Sequence, residues 1–165
     1  MSEAALLENN FQLIAEILQA VAVLMGVGMV LAALFQLKKH AESRGMMGGQ
    51  ASMAGPMMLL VSGAMLLVLP DFITTAVLAF WGQSSDQAYN GGPTGYQSLV
   101  PAILMFVRVI GVGSFIRGVV LLSRSSGQQT QPGTLGKAMI HMFAGILCVH
   151  ITGTISLIGS ILGLA

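Results

Sequence analysis

The chain has 165 residues, of which 55% are hydrophobic and only 8% are charged, and its mean hydropathy is +0.83. A soluble domain carries about 25% charged residues, so these values argue against a water-soluble globule and exclude a disordered chain. The formal net charge of +1 and the scattered basic residues indicate no nucleic-acid site. Function is therefore expected in or beside a membrane, from one membrane domain over residues 1–165.

Four apolar runs are long enough to cross about 30 Å of hydrocarbon as helices, which rise about 1.5 Å per residue. In chain order these runs cover residues 14–37, 57–80, 99–122 and 138–162. They lack the alternation of outer-membrane barrel strands. The sequence thus predicts an all-α membrane protein with four transmembrane helices.

The charged residues predict how the chain is oriented. A cleavable signal peptide begins with basic residues, yet no Lys or Arg precedes Lys38, so the first run is expected to stay in the mature protein. The first and third loops contain basic residues and the middle loop contains none. The positive-inside rule then places both termini and the middle loop on the outer, periplasmic side.

The two halves of the chain resemble each other. The segment MGVGMVLAALFQLKK at 25–39 aligns without gaps with IGVGSFIRGVVLLSR at 110–124, a shift of 85 residues. The second and fourth runs align at a shift of 82, which pairs Gly63 with Gly145. Chance similarity between apolar segments is the alternative, but the matching basic ends favour an internal duplication. The sequence predicts two tandem helical hairpins, with repeat one at about 14–80 and repeat two at about 99–163.

Small residues recur at four-residue spacing along these helices. Such residues let helices approach closely in lipid, where the hydrophobic effect does not drive association. The pairs are Ala22 and Gly26, Gly28 and Ala32, Ser114 and Gly118, and Gly159 and Gly163. Packing within one chain explains some of them, and we expect the surplus to contact other copies of the chain.

Two arginines lie inside the third run, where a buried charge costs about 2.5 to 3.5 kcal/mol. Arg108 is nine residues from the outer end of its run, and Asp71 is nine residues from the outer end of the second run. Straight helices would place both at the same depth, roughly 13.5 Å from the surface. The sequence therefore predicts an Asp71–Arg108 ion pair, either within one chain or between chains.

Arg117 lies five residues from the inner end of the third run, so its side chain can reach the cytoplasmic headgroups. With Arg117, the basic loop residues form a predicted inner-leaflet belt that holds anionic phospholipid. These loop residues are Lys38, Lys39, Arg44, Arg124 and Lys137. The alternative is that they only set orientation. No cofactor is predicted, and anionic phospholipid is the one candidate ligand.

Enzyme chemistry finds little support in the sequence. His141 and His150 are nine residues apart on one helix, so they face opposite sides and cannot share a metal. Hydrogen bonds between helices are their expected role. Interruptions are expected at 70–71 and 152–153, as in transporters, yet residues to coordinate a substrate are sparse. We predict a non-enzymatic protein.

Two segments carry a family resemblance: RVIGVGSFIRGVVLLSR at 108–124 and HMFAGILCVHITGTISLIGS at 141–160. They resemble small inner-membrane proteins of type IVB secretion and conjugation systems, the group of IcmC/DotE, IcmD/DotP and DotV of the Dot/Icm apparatus and TraQ and TraR of I-type plasmids. The first two runs share only size and pattern with them. The resemblance implies a bacterial inner-membrane protein with a structural role among other subunits of a machine that moves DNA or protein.

Three hypotheses remain open from the sequence. The first is a self-associating structural subunit of such an apparatus. The second is a pilin-like subunit of a lipid-containing conjugative filament outside the cell. The third is a small ion transporter or channel with Glu16, Asp71 and Arg108 along its path. The first two predict large homo-oligomers.

Overall fold

The computed structural model describes residues 3–46, 53–82, 99–125 and 132–163, and the regular structure in these ranges is helical. The six helices within these ranges are α1 (Glu3–Met46), α2 (Ala54–Leu67), α3 (Leu69–Trp81), α4 (Val100–Arg124), α5 (Thr134–Val149) and α6 (Ile151–Ile161). The predicted all-α class is confirmed.

Two of these helices, α1 and α4, are each long and apolar enough to cross a membrane. They contain 44 and 25 residues respectively. The pairs α2–α3 and α5–α6 raise the number of candidate spans to four if each bent pair counts as one. The described part of the chain therefore has two to four candidate spans and is compatible with a membrane-embedded protein.

The second and fourth runs, each expected to span the membrane with an interruption, are bent. The chain turns by 85° between α2 and α3 and by 98° between α5 and α6. The residues at the bends are Val68 and His150, each two residues before the interruption expected from the sequence. Alone, α2 and α5 have 14 and 16 residues, or about 21 and 24 Å, less than the hydrocarbon thickness. Neither run crosses as one straight helix.

The two bends are formed by different chemistry. Pro70 stands in the first turn of α3, where its missing N–H cannot continue the α2 hydrogen-bond ladder. At the second bend, the Gly153 N–H donates to His150 Nδ1 at 3.2 Å. The Thr154 hydroxyl lies 2.8 Å from the carbonyl oxygen of Leu147, which satisfies a free acceptor at the end of α5.

Helices α1–α3 form the first hairpin and α4–α6 the second, and each hairpin has a close contact between two glycines. A Cβ atom on Gly26 would lie 2.9 Å from the Gly63 carbonyl oxygen, and one on Gly111 would lie 2.8 Å from the Gly145 carbonyl oxygen. Only the missing Cβ atoms allow α1 to approach α2, and α4 to approach α5, this closely. The two contacts join residues that correspond in the aligned halves of the sequence.

The two hairpins run in the same direction and are staggered. The rings of Phe11 and Phe106 are 5.3 Å apart, and Leu18 Cδ2 lies 3.9 Å from where a Cβ of Gly113 would stand. Both contacts join α1 to α4 at an offset of 95 residues, so these helices are parallel. This offset exceeds the 85-residue shift of the sequence alignment by ten residues, which corresponds to roughly 15 Å along the helix axis.

The core lies where α4 meets the first hairpin. Phe115, Leu66, Leu69 and Val119 are fully buried there, and the Phe72 ring packs 5.4 Å from that of Phe115. Many large apolar side chains elsewhere point outward. Such an outer surface is suited to contact with lipid or with other membrane proteins, because both keep its apolar side chains away from water.

Candidate functional site: charged residues and packing surfaces

The two small-residue stripes on α1 have different environments. Ala22 and Gly26 are buried inside the chain. Gly28 and Ala32 are exposed, and no described residue lies within 4 Å of a Cβ placed on Gly28. One stripe therefore packs within the chain and the other remains open.

The stripes in the second half divide in the same way. A Cβ on Gly118 would lie 2.8 Å from a backbone nitrogen of α5, and the Ser114 hydroxyl donates to the His141 carbonyl oxygen at 3.2 Å. These two residues pack α4 against α5. A Cβ on Gly159 or Gly163 would meet no other described residue within 4 Å.

The basic residues predicted to bind phospholipid are exposed wherever their side chains are described. These are Lys38, Lys39, Arg117, Arg124 and Lys137, whereas the Arg44 side chain lies outside the described residues. The 95-residue offset carries Lys38 to the level of residue 133, nine residues and roughly 14 Å beyond Arg124. Lys38 therefore lies at a different level along the α1 axis from Arg124. Phospholipid binding by these residues stays a prediction.

The equal depth expected for Asp71 and Arg108 depended on a straight second span, and the 85° bend removes that condition. Asp71 is exposed in the first turn of α3, and Arg108 is partly buried in α4. The neighbouring Phe72 packs on Phe115, which lies two turns, or about 10.5 Å, along α4 from Arg108. The ion pair itself stays a prediction.

If the pair forms, exchanging the two charges should restore what either change removes. We expect Asp71→Arg and Arg108→Asp each to reduce the yield of assembled protein in mild detergent, because an unpaired charge in lipid is costly. The double variant should recover most of that yield. Asp71→Arg combined with Arg117→Asp is the matched control and should not recover it. Equal defects in both double variants would contradict the pairing.

Both histidines make local contacts, so their expected hydrogen bonds between helices are corrected. His141 Nδ1 lies 2.9 Å from the Lys137 carbonyl oxygen one turn earlier in α5. His150 Nδ1 accepts from the Gly153 N–H, which places the proton of a neutral imidazole on Nε2. Each ring completes the hydrogen bonds of its own helix or bend.

A ring cluster at the second bend was not found from the sequence. The rings of Trp81 and His150 stack with centroids 4.8 Å apart at 22°, and a Cβ on Gly153 would lie within 3 Å of both rings. Trp81 Nε1 and His150 Nε2 are buried and, within the described part of the chain, have no hydrogen-bond partner. The signal available in the sequence was the expected interruption at 152–153.

An apolar groove of about 260 Å³ lies between the first turns of α1 and α4. Its lining consists of Leu7, Phe11, Leu99, Ala102, Ile103 and Phe106. A lining of this kind can hold an acyl chain but offers no polar group to orient a reactant. The groove lies at the amino-terminal end of α4, opposite to the end that carries Arg117 and Arg124.

Neither a metal centre nor a known relative identifies a chemical activity. In the described ranges, no three His, Cys, Asp or Glu side chains are grouped so that they could hold a metal ion. Glu16 is exposed on α1. No family model, curated protein or solved structure matches this chain.

Proposed function

We propose that this protein is a non-enzymatic, self-associating structural subunit of a type IVB secretion or conjugation apparatus in a bacterial inner membrane. Its second, open small-residue face on α1 carries the proposal. Gly26 packs on α2, whereas Gly28 lies 200° further round the helix with open space beside it. Close approach at small residues is how helices associate in lipid, and the described residues of one chain pack on only one of these faces.

We infer further that the chain is one hairpin written twice. The glycine contacts of the two hairpins fall at corresponding positions, and so do the bends, since Val68 and His150 are 82 residues apart, as are Gly63 and Gly145. A unit that packs on its own copy within a chain is suited to pack on further copies, as repeat proteins do.

The basic end is proposed to face the cytoplasm, with both termini periplasmic. Because α1 and α4 are parallel, the exposed cations at their carboxyl ends and at the start of α5 lie toward the same side of the molecule, with Lys38 roughly 14 Å beyond Arg124. Cytoplasmic leaflets carry anionic lipids that attract such cations. We propose that these residues hold phospholipid phosphates.

The particle size in mild detergent tests the proposed function. A structural subunit should run as a ring or filament of many chains, measured by light scattering coupled to gel filtration. A monodisperse monomer or dimer would contradict self-association and favour the ion transporter or channel. The control variant Gly136→Leu should keep the particle size of the unmodified protein, because it adds an apolar side chain to α5 where no described residue lies within 4 Å of the Cβ.

Bound phospholipid provides a separate measurement. Replacing Arg117, Arg124 and Lys137 together with Gln should lower anionic phospholipid per chain, measured as phosphate after detergent extraction. About 1 kcal/mol per cation predicts roughly a hundredfold weaker binding for three. A variant with Lys at all three positions keeps the charge and should retain the lipid. Unchanged phosphate in the Gln variant would leave these residues as orientation signals only.

A pilin-like subunit of a lipid-containing filament is the second candidate. The stagger of roughly 15 Å between parallel hairpins favours it, because units related by such a shift form an open array unless a rotation closes it. Electron microscopy of the detergent particle distinguishes a filament from a membrane ring.

A further inference from the structure

We propose that a second copy of this chain covers the open face of α1 with its own second hairpin, repeating the contact that joins the two hairpins within one chain. The proposal rests on the self-association proposed above and adds to it the surface and the register. The occupant is the same protein in the same orientation, so the contact is head to tail.

The first observation is that the contact between α1 and α4 is made once within a chain. The repeat has a second pair of equivalent positions at which the same contact could be made. Leu18 of α1 packs beside Gly113 of α4. Their repeat counterparts, 85 residues away in each direction, are Ile103 and Gly28. Ile103 is 59% exposed, and a Cβ on Gly28 would meet nothing within 4 Å. Within one chain this second copy of the contact is not made.

The second observation is a difference in burial between equivalent positions of α4 and α1. Four residues of α4 are at most 9% exposed: Ala102, Val112, Ile116 and Val119. Their counterparts on α1 are 43 to 56% exposed: Ile17, Val27, Leu31 and Leu34. Every one of these counterparts is apolar, so α1 presents the same kind of face that α4 buries.

The other hairpin is the cause of this difference. Positions at the hairpin contact are buried in both halves, as Gly26 and Ala33 on α1 and Gly111 and Gly118 on α4 show. The hairpin contact therefore accounts for equal burial in the two halves. The additional burial on α4 comes from packing against the first hairpin, and α1 lacks the equivalent neighbour on its own open side.

The bent helices show the opposite asymmetry. Ile73 and Val77 of α3 are 7% and 5% exposed, whereas Ile155, the counterpart of Ile73 on α6, is 55% exposed. A Cβ on Gly159, the counterpart of Val77, would meet nothing within 4 Å. The first hairpin thus has a covered face on α3 whose counterpart on α6 is bare. The second hairpin has a covered face on α4 whose counterpart on α1 is bare.

The two bare faces are the counterparts of faces that are covered where the two hairpins pack together within the chain. A second copy can therefore cover them by repeating that packing. A two-fold dimer would instead join like faces. A head-to-tail contact with a stagger of roughly 15 Å continues the internal arrangement into a ring or a helical filament. Lipid alone would cover both faces without any register between copies, and that is the outcome to be distinguished.

Disulfide cross-linking between two differently tagged copies tests the register. In a Cys148→Ser background, which removes the single native cysteine, one copy has Ile103→Cys and the other Gly28→Cys. Mild oxidation in membranes should link the mixed pair at least tenfold more than either variant alone. Gln36→Cys is the matched control for Gly28→Cys, since it is exposed but about 12 Å along and 80° round α1.

The remaining outcomes separate this proposal from the proposed function. Large particles with a Gly28→Cys link to itself would show a two-fold contact and overturn the register, while self-association stands. Large particles without any link would show that lipid covers the face, again with self-association intact. Monomers without links would overturn both. Val27→Cys, on the same exposed face, repeats the test without replacing the glycine.

Discussion

Replacing Gly145 with leucine is expected to separate α5 from α4 and unfold the second hairpin. A Cβ at this position would lie 2.7 Å from the Gly111 carbonyl oxygen and 2.8 Å from the Phe115 backbone nitrogen. Because both atoms belong to the backbone, the helices themselves must move. Overpacking by a few carbons costs about 1 to 3 kcal/mol, so alanine should weaken the hairpin and leucine should abolish it.

The measurement is denaturant unfolding in detergent followed by circular dichroism. Gly136→Leu, on the same helix but with nothing within 4 Å of its Cβ, should change the free energy of unfolding by no more than about 0.5 kcal/mol. The first hairpin provides a graded comparison. At Gly63 the nearest atom is Val30 Cγ2, a side-chain methyl that can move, and the nearest backbone atoms are 3.0 Å away, further than the 2.7 Å at Gly145. Gly63→Ala should therefore cost less than Gly145→Ala. Equal effects of Gly145→Leu and Gly136→Leu would contradict close glycine packing.

Gly153→Ala is expected to dismantle the second bend. The added methyl group would overlap the His150 ring and lie 2.8 Å from Trp81 Cδ1. His150 must then leave its position, which breaks the cap on the Gly153 N–H and the stack on Trp81. Loss of such a cap costs about 0.5 to 2 kcal/mol and loss of an aromatic stack about 0.5 to 1.5 kcal/mol.

Trp81 is the single tryptophan of the chain, so its fluorescence reports this site directly. The Gly153→Ala protein should show a shifted emission maximum together with a lower unfolding midpoint. His141→Ala is the control, because His141 contacts its own helix at Lys137 and should leave Trp81 emission unchanged. Unaltered emission and midpoint in Gly153→Ala would contradict the stacked arrangement.

The helices were predictable because apolar runs of this length have few other structures in lipid. The bends were harder to predict, because hydropathy gives the length of an apolar run but does not show where the helix axis changes direction. Pro70 is a readable signal, since its ring and missing N–H interrupt any helix. His150 is not readable in the same way, because its effect depends on a side-chain cap that forms only after the chain turns. The same bends invalidate the depth comparison between Asp71 and Arg108.

The packing residues were predictable as a class and not as individuals. Gly26 and Gly28 stand in the same Gly-Val-Gly triplet, and either is suitable for close helix approach. Only the position of α2 distinguishes them, by covering Gly26 and leaving Gly28 open. The basic residues likewise follow from the loop composition, but their separation into two levels follows from the stagger between hairpins, which no single-helix pattern contains.

The length of α1 has a consequence for the bilayer. Large apolar side chains are exposed along it from Leu13 to Phe35, a rise of roughly 33 Å. A hydrocarbon layer of about 30 Å accommodates this length at a tilt of about 25°, within the usual range for transmembrane helices. The turns of α1 before Leu13 then extend beyond the hydrocarbon, where the exposed Asn9, Asn10 and Gln12 meet water or headgroups. A thicker bilayer should make this helix stand more upright, whereas a thinner one should increase its tilt.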